Sequence, residues 1–452
     1  MSREESIGSL VNKLVNYVVE RLERTWFFSL RFAIPSRVVS PLSYLGMLTF
    51  VIFLIEGITG GILMFYYVPT LDGAWDSVAR INDEIPFGYI LRNVHYHGSN
   101  AMVFLAVFHL YYQFFSGRYK LRYEMLWVTG IILGLMTVLE AFFGYDVIFN
   151  ERAELALSIG ASLAENSPVI GVVIREAVFG AGFGDFILRS YTYHVFILPV
   201  VMILLIILHF PRNMIMDIPM ISAITGGIFI VGGLFPIELG GKFGLAPPTI
   251  TVPEWYLTGI YAFIRTGLDR FITGGLMPAL LLLMFIVMPF VDKGKKYRWQ
   301  DRPLFTALGV TSLGQIAVTT VWGFYIDPDT SLPFVDRIFI DPFSLWMSML
   351  LIAFFSFVGT YSFIKVMQKS AEAKKVAKKP PFIVNAPVNI SQKWIWVMLV
   401  SVILFMVYLN LLAFQAYESG FHNLALLELG GILVSFSAVF HLYRYAKDAL
   451  MK

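Results

Sequence analysis

The sequence predicts an all-α polytopic membrane protein with about ten transmembrane helices. Three observations predict it. Only 14% of the 452 residues are charged and 57% are hydrophobic, where soluble folds carry about 25% charged residues. Apolar runs long enough to cross about 30 Å of hydrocarbon recur along the whole chain. Four of the seven histidines fall, as two pairs of nearly equal spacing, inside two of those runs.

The chain opens with a surface amphipathic segment, residues 1–40. Val11, Leu14, Val15, Val18, Val19 and Leu22 share one face, which suits a helix lying along the membrane. Ser2 to Arg24 is charged and lacks a small-residue cleavage site, so it does not read as a cleavable signal peptide. The spanning runs follow near 42–67, 90–116, 125–149, 189–211, 219–237, 275–292, 304–325, 343–366, 393–417 and 424–446. Alternate loops are basic: Arg118, Lys120 and Arg122; Lys293, Lys295, Lys296, Arg298 and Arg302; Lys369, Lys374, Lys375, Lys378 and Lys379; then Arg444 and Lys447. The opposite loops carry Asp72, Asp76, Asp83 and Glu84, then Glu151, Glu154 and Glu165, then Asp327, Asp329, Asp336 and Asp341. Basic loops stay on the cytoplasmic side of a plasma membrane, which predicts that both termini are cytoplasmic. Domain limits follow from these runs: a four-helix bundle over 41–215, further helices over 216–368, a basic linker over 369–392 and a two-helix extension over 393–452. Cysteine is absent, which excludes disulfides, thiolate metal sites and iron–sulfur ligation on this chain.

His95 and His109 are 14 residues apart in one run. On a helix that is roughly 21 Å of rise and a return to within about 40° of the same face. His194 and His209 are one residue further apart, which turns the second ring by about 60°. Neighbouring helices would set His95 opposite His194 and His109 opposite His209. Each pair then frames a flat macrocycle, and haem iron suits two imidazoles because haem brings the other four ligands. The run is therefore expected to form a four-helix haem-binding bundle with two b-type haems. A buried histidine can instead simply hydrogen-bond a neighbour. Gly46 and Gly60, and Gly130 and Gly144, repeat the 14-residue spacing, as positions where a porphyrin edge or another helix approaches closely. Arg92 and Arg189 precede His95 and His194 and are placed to bind propionates, or to snorkel to the interface.

These features together resemble the cytochrome b subunit of quinol-oxidising cytochrome bc and bf complexes. The paired glycines, the four histidines, Arg92, Arg189 and Pro199 match the family, and PEWYLTGIYAFIR (253–265) is similar to its quinol-site signature. FYYVPT (65–70), WVTG (127–130) and the wider second spacing lean toward the bf-type and Gram-positive-type branch, although here the eight-helix body is one chain. The resemblance covers about 40–365 and leaves the last two helices without a counterpart. Three departures stand out. Asp146, Val147, Ile148 and Phe149 replace an LPW-type motif, Phe210, Pro211, Arg212 and Asn213 replace a polar inner motif, and Glu56 stands where Gln is usual.

The resemblance implies transmembrane electron transfer from quinol, at an outer site, through two haems to an inner quinone site, coupled to proton translocation in a Q cycle. Glu254 is the expected proton acceptor, with Tyr256 holding it or backbone groups by hydrogen bonding, Tyr145 and Tyr261 flanking the quinol ring, and Asp217 as the inner-site carboxylate. A Rieske iron–sulfur protein is the implied partner for the second electron, with a further cytochrome or oxidase subunit and a homodimer also expected; no nucleic-acid partner is. Alternatives are a dihaem subunit inside a terminal quinol oxidase, a haem-bearing anchor without a Q cycle, and a transporter with incidental histidines. His97, set about 200° around the helix from His95, is expected to pack rather than ligate, and His422 and His441 are read as structural.

Overall fold

In this computed structural model residues 3–22, 31–35, 40–120, 123–244, 250–373 and 391–450 are described. Amphipathic α1 (Arg3–Leu22) leads into strand β1 (Arg31–Ala33), then α2 (Leu45–Met64), α3 (Gly73–Asp83), α4 (Gly88–Ser116), α5 (Glu124–Asp146), α6 (Glu151–Glu165), α7 (Gly171–Val178) and α8 (Phe183–Thr192). A π-helical turn, Tyr193–Ile197, joins α8 to α9 (Leu198–His209), so one helix runs from Phe183 to His209. Strand β2 (Asn213–Ile215) precedes α10 (Ile218–Leu234), α11 (Thr258–Ile264), α12 (Met277–Val291), α13 (Pro303–Phe324), α14 (Phe334–Ile338), α15 (Pro342–Ala373), α16 (Gln392–Glu418) and α17 (His422–Leu450).

Among the described residues eight helices are long and apolar enough to cross a membrane. The chain is an integral membrane protein. The other two expected spans are α4, whose 29 residues are interrupted by His, Asn and Ser, and α10, with 17. Arg122 and most of the basic linker lie outside the described residues, while residues 369–373 continue α15 as helix.

The bundle is α2 packed along α4, α5 packed along α9, and α4 against α5. Its basic end is closed by local ties. Strand β1 pairs in parallel with β2, Arg31 opposite Asn213, and Arg21 of α1 donates to Glu124 at the start of α5 at 3.1 Å. Asp292, at the end of α12, accepts from Tyr119 at 2.6 Å and from Arg302 at 2.7 Å, and also pairs with Lys120. Arg302 further donates to the Phe114 and Phe115 carbonyls at 2.7 and 2.9 Å, which satisfies the C-terminal end of α4.

The last two helices are a continuous part of the body. Glycines allow α17 to cross α10 closely: a Cβ at Gly226 would lie 2.7 Å from the Gly430 carbonyl, and the reverse holds. Ser222 donates to the Leu433 carbonyl at 2.7 Å, a bond that suits an apolar interface.

Removing one member of the buried Asp292 cluster leaves two cations without a counter-charge. Asp292→Ala is expected to cost about 3–5 kcal/mol, read as a lowered unfolding midpoint in detergent; an unchanged midpoint would show that water enters this junction.

Candidate functional site

The extra residue between His194 and His209 is absorbed locally. Pro199 lacks an N–H, so the carbonyl four residues before it has no helical donor, and the chain takes a π turn over Tyr193–Ile197. That wider turn takes up the fifteenth residue, and the 60° offset read from an ideal helix does not arise. His95 faces His194 with ring centres 6.0 Å apart, and His109 faces His209 at 6.4 Å, both pairs nearly perpendicular at 82° and 89°.

Each ring rests on a glycine of the helix behind it. A Cβ at Gly46 would lie 3.3 Å from His109 Cε1, one at Gly60 2.9 Å from His95 Cε1, and one at Gly130 2.6 Å from His209 Cε1; at Gly144 it would collide with His194. The protein atoms nearest these positions are imidazole carbons. The order across the bundle is α2, the α4 ring, the α9 ring, α5.

The outer ring nitrogens are tied down. His95 Nδ1 lies 3.0 Å from Thr59 Oγ1 and 3.1 Å from Glu56, and His194 Nδ1 lies 3.0 Å from Glu140 and 3.1 Å from its carbonyl. His209 Nδ1 donates to the Leu126 carbonyl at 2.8 Å, while His109 Nδ1 is buried without a partner. Engaging Nδ1 leaves Nε2 for a ligand. A metal bound by both imidazoles at about 2.0 Å each would separate the ring centres by roughly 6 Å, so both pairs fit an iron group carrying its own equatorial ligands. Among the described residues no cluster of three or more ligating side chains offers a competing metal site.

A cavity joins the His95/His194 level to the loop after α10. Tyr145, Glu254, Tyr256 and Arg92 line it together with both rings. Glu254 is buried, accepts from the Tyr96 hydroxyl at 3.2 Å on both oxygens, and pairs with Arg152 at 3.3 Å. The partner expected from sequence was Tyr256; Tyr96, one residue past His95 and projecting from α4, takes that role. Burial, reinforced by the negative charge of Glu254, pushes the Tyr256 phenol well above its usual range. Trp255 is held by Asn100 at 2.8 Å and Thr258 caps the Trp255 carbonyl at 2.6 Å, which fixes the loop. Asp146 is fully buried beside Tyr145, with neither oxygen hydrogen-bonded.

The expected arginines and the remaining site residues make contacts of their own. Arg92 is buried and binds Asn82 and the Glu238 carbonyl at 3.2 and 3.3 Å. Arg189 turns to the carbonyls of Glu176 and Ala177, closing α7, because its helix begins earlier, at Phe183. Tyr261 is buried under the Arg265 guanidinium, 5.1 Å from its ring, and is not among the residues lining the cavity. Asp217 accepts from Tyr44 and Arg444, both at 2.6 Å, so both its oxygens serve contacts between α2, α10 and α17. His97 hydrogen-bonds the Phe235 carbonyl at 2.8 Å, and His422 packs between Tyr89 and Tyr417.

The family model described as Cytochrome b/b6/petB matches residues 25–215, and that described as Cytochrome b(C-terminal)/b6/petD matches 244–340. A menaquinol:cytochrome c reductase cytochrome b subunit of Geobacillus thermodenitrificans is 32% identical over 44% of this chain and 95% of that protein. The chain belongs to the cytochrome b family. A cytochrome bc complex cytochrome b subunit of Chlorobaculum thiosulfatiphilum is 27% identical over 64% of this chain and 74% of its own length. In fold, this cytochrome b is similar to a chain of a hyperthermophilic respiratory Complex III, with a TM-score of 0.51 at 21% identity, over 78% of this chain and 99% of that one.

Tyr96, Arg152 and Glu140 escaped the sequence reading of this cytochrome b. Glu140 had a signal, since a carboxylate inside an apolar run is a functional candidate by default. The other two are ordinary residues until the fold sets them against Glu254. Gly134 and Gly144 separate space from sequence: no atom lies within 4 Å of a Cβ at Gly134, whereas Gly144 faces His194. Gly134→Ala is expected to leave the unfolding free energy unchanged or raise it by up to about 1 kcal/mol, and Gly144→Ala to lower it; equal effects would reject the imidazole cradle.

Proposed function

We propose that this cytochrome b oxidises quinol at the cavity beside His95 and His194 and passes electrons across the membrane to an inner quinone, as the cytochrome b subunit of a complex coupled to proton translocation. The observation that carries the reading is the single cavity shared by the outer imidazole pair, Tyr145, Glu254 and Tyr256. Two b-type haems, held by His95/His194 and His109/His209, supply one-electron carriers at two depths. The remaining work falls to side chains.

Quinol oxidation releases two electrons and two protons. Glu254 accepts a proton from a quinol hydroxyl; the Tyr96 hydroxyl and Arg152 hold its carboxylate at the mouth of the cavity. Tyr145 and Tyr256 wall the ring, and Asp146 is a second buried carboxylate beside them. Arg92, lining the same cavity, is the cation available to a haem propionate. Loop charge supports an outer position for this cavity: basic loops lie at the opposite end, which favours the termini and the His109/His209 level facing the cytoplasm. A Rieske iron–sulfur protein takes the second electron, since no cysteine is available here for a cluster. Asp217, tied to Tyr44 and Arg444, is read as an anchor for α17 in preference to an inner-site acid.

A redox titration of the purified protein is expected to resolve two α-band components, with His109→Ala removing one of them. A protein without a dithionite-reducible band would end this reading. Glu254→Gln is expected to slow quinol oxidation by about 10²–10⁴-fold, the usual contribution of a positioned base, with both components retained. Unchanged turnover would reject its proton role.

A further inference from the structure

The two histidine pairs differ in what stands behind them. Glu56 Oε2 lies 3.1 Å from His95 Nδ1, and Glu140 Oε1 lies 3.0 Å from His194 Nδ1. The other oxygen of each carboxylate is buried without a hydrogen bond. Among the described residues neither carboxylate has another side-chain partner; His95 Nδ1 also lies 3.0 Å from Thr59 Oγ1, and His194 Nδ1 3.1 Å from the Glu140 carbonyl. The backbone makes room for this: a Cβ at Gly98 on α4 would collide with Glu56 Oε1. Among the described residues no carboxylate stands at the inner pair: His209 Nδ1 has the Leu126 carbonyl at 2.8 Å and Thr129 Oγ1 at 3.4 Å, and His109 Nδ1 has no partner.

We propose that Glu56 and Glu140 are a matched pair of positioning carboxylates that receive the Nδ1–H of the two outer histidines, aim their Nε2 atoms at each other, and lower the reduction potential of the group bound there relative to the inner one. The proposal rests on the haem reading above. A carboxylate is about twice as strong an acceptor as a neutral carbonyl. It fixes the tautomer, makes the imidazole a better donor to a metal, and favours the more positive, oxidised state. With one carboxylate behind each ring, both imidazoles would push in the same direction. The inner pair has carbonyl and hydroxyl neighbours but, among the described residues, no carboxylate, and lacks that push. The asymmetry orders the two levels so that an electron arriving at the outer one moves inward.

The test is a redox titration of the purified holoprotein with Glu56→Gln, Glu140→Gln and the double variant, the outer component being the one that survives in His109→Ala. Glutamine keeps the shape and an acceptor oxygen but removes the charge. Each single variant is expected to shift the reduction equilibrium of the outer component upward by about tenfold, 59 mV for a one-electron couple, leaving the inner component in place. Gly98→Ala, which displaces only Glu56, is expected to move the outer component in the same direction. An unmoved or lowered outer potential, an equal shift of both components, or loss of the outer component alone would overturn the proposal. A wild-type protein with no reducible component at all would instead sink the haem reading itself.

Discussion

Four imidazoles pressed against four glycines set the geometry on which the rest of the bundle depends. An imidazole can stand between two helices only where one of them offers bare backbone, and Gly46, Gly60, Gly130 and Gly144 offer it at two depths. Because the α4 rings lean on α2 and the α9 rings lean on α5, the two histidine-bearing helices face each other with ring centres 6.0 and 6.4 Å apart. The proline-driven π turn at Tyr193–Ile197 brings the longer spacing into phase with the shorter one. Without it, one of the two pairs would be rotated out of line.

The basic end of the bundle is held by buried charge clusters rather than by apolar contact alone. Asp292 gathers Lys120, Tyr119 and Arg302 where α4, α12 and α13 meet, and Asp217 gathers Tyr44 and Arg444 where α2, α10 and α17 meet. Such clusters contribute little net energy but exclude misaligned arrangements, since a shift of one turn strands an unpaired charge. Helix α17 is tied in by this means and by the Gly226–Gly430 crossing, so the extension is a structural continuation of the body.

Carboxylates occur at three places around the His95/His194 level, each in a different setting. Glu254 is shared by Tyr96 and Arg152 at the cavity mouth, Glu56 and Glu140 back the two imidazoles, and Asp146 is fully buried without a hydrogen bond. Hydrocarbon makes each of these costly unless it does something. Their grouping at one depth, with basic residues concentrated at the opposite end of the helices, gives the bundle a chemical direction as well as a topological one.

Spans, paired histidines, their glycines and the PEWY loop were legible in the sequence, because each rests on a one-dimensional rule: hydrocarbon thickness, helical pitch, or a contiguous motif. What depends on two segments meeting was not. Spacing put Arg189 at a helix end, but the helix begins at Phe183 and the guanidinium caps α7 instead. Tyr256 was the obvious neighbour for Glu254 along the chain, yet Tyr96 reaches it across the fold. Asp217 was expected as an inner-site carboxylate, and only the fold brings Arg444 of α17 to it. Periodicity determines which side chains share a face; only the packing of one helix on another decides which atoms they meet, because hydrogen bonds are set by distances across the chain and not along it.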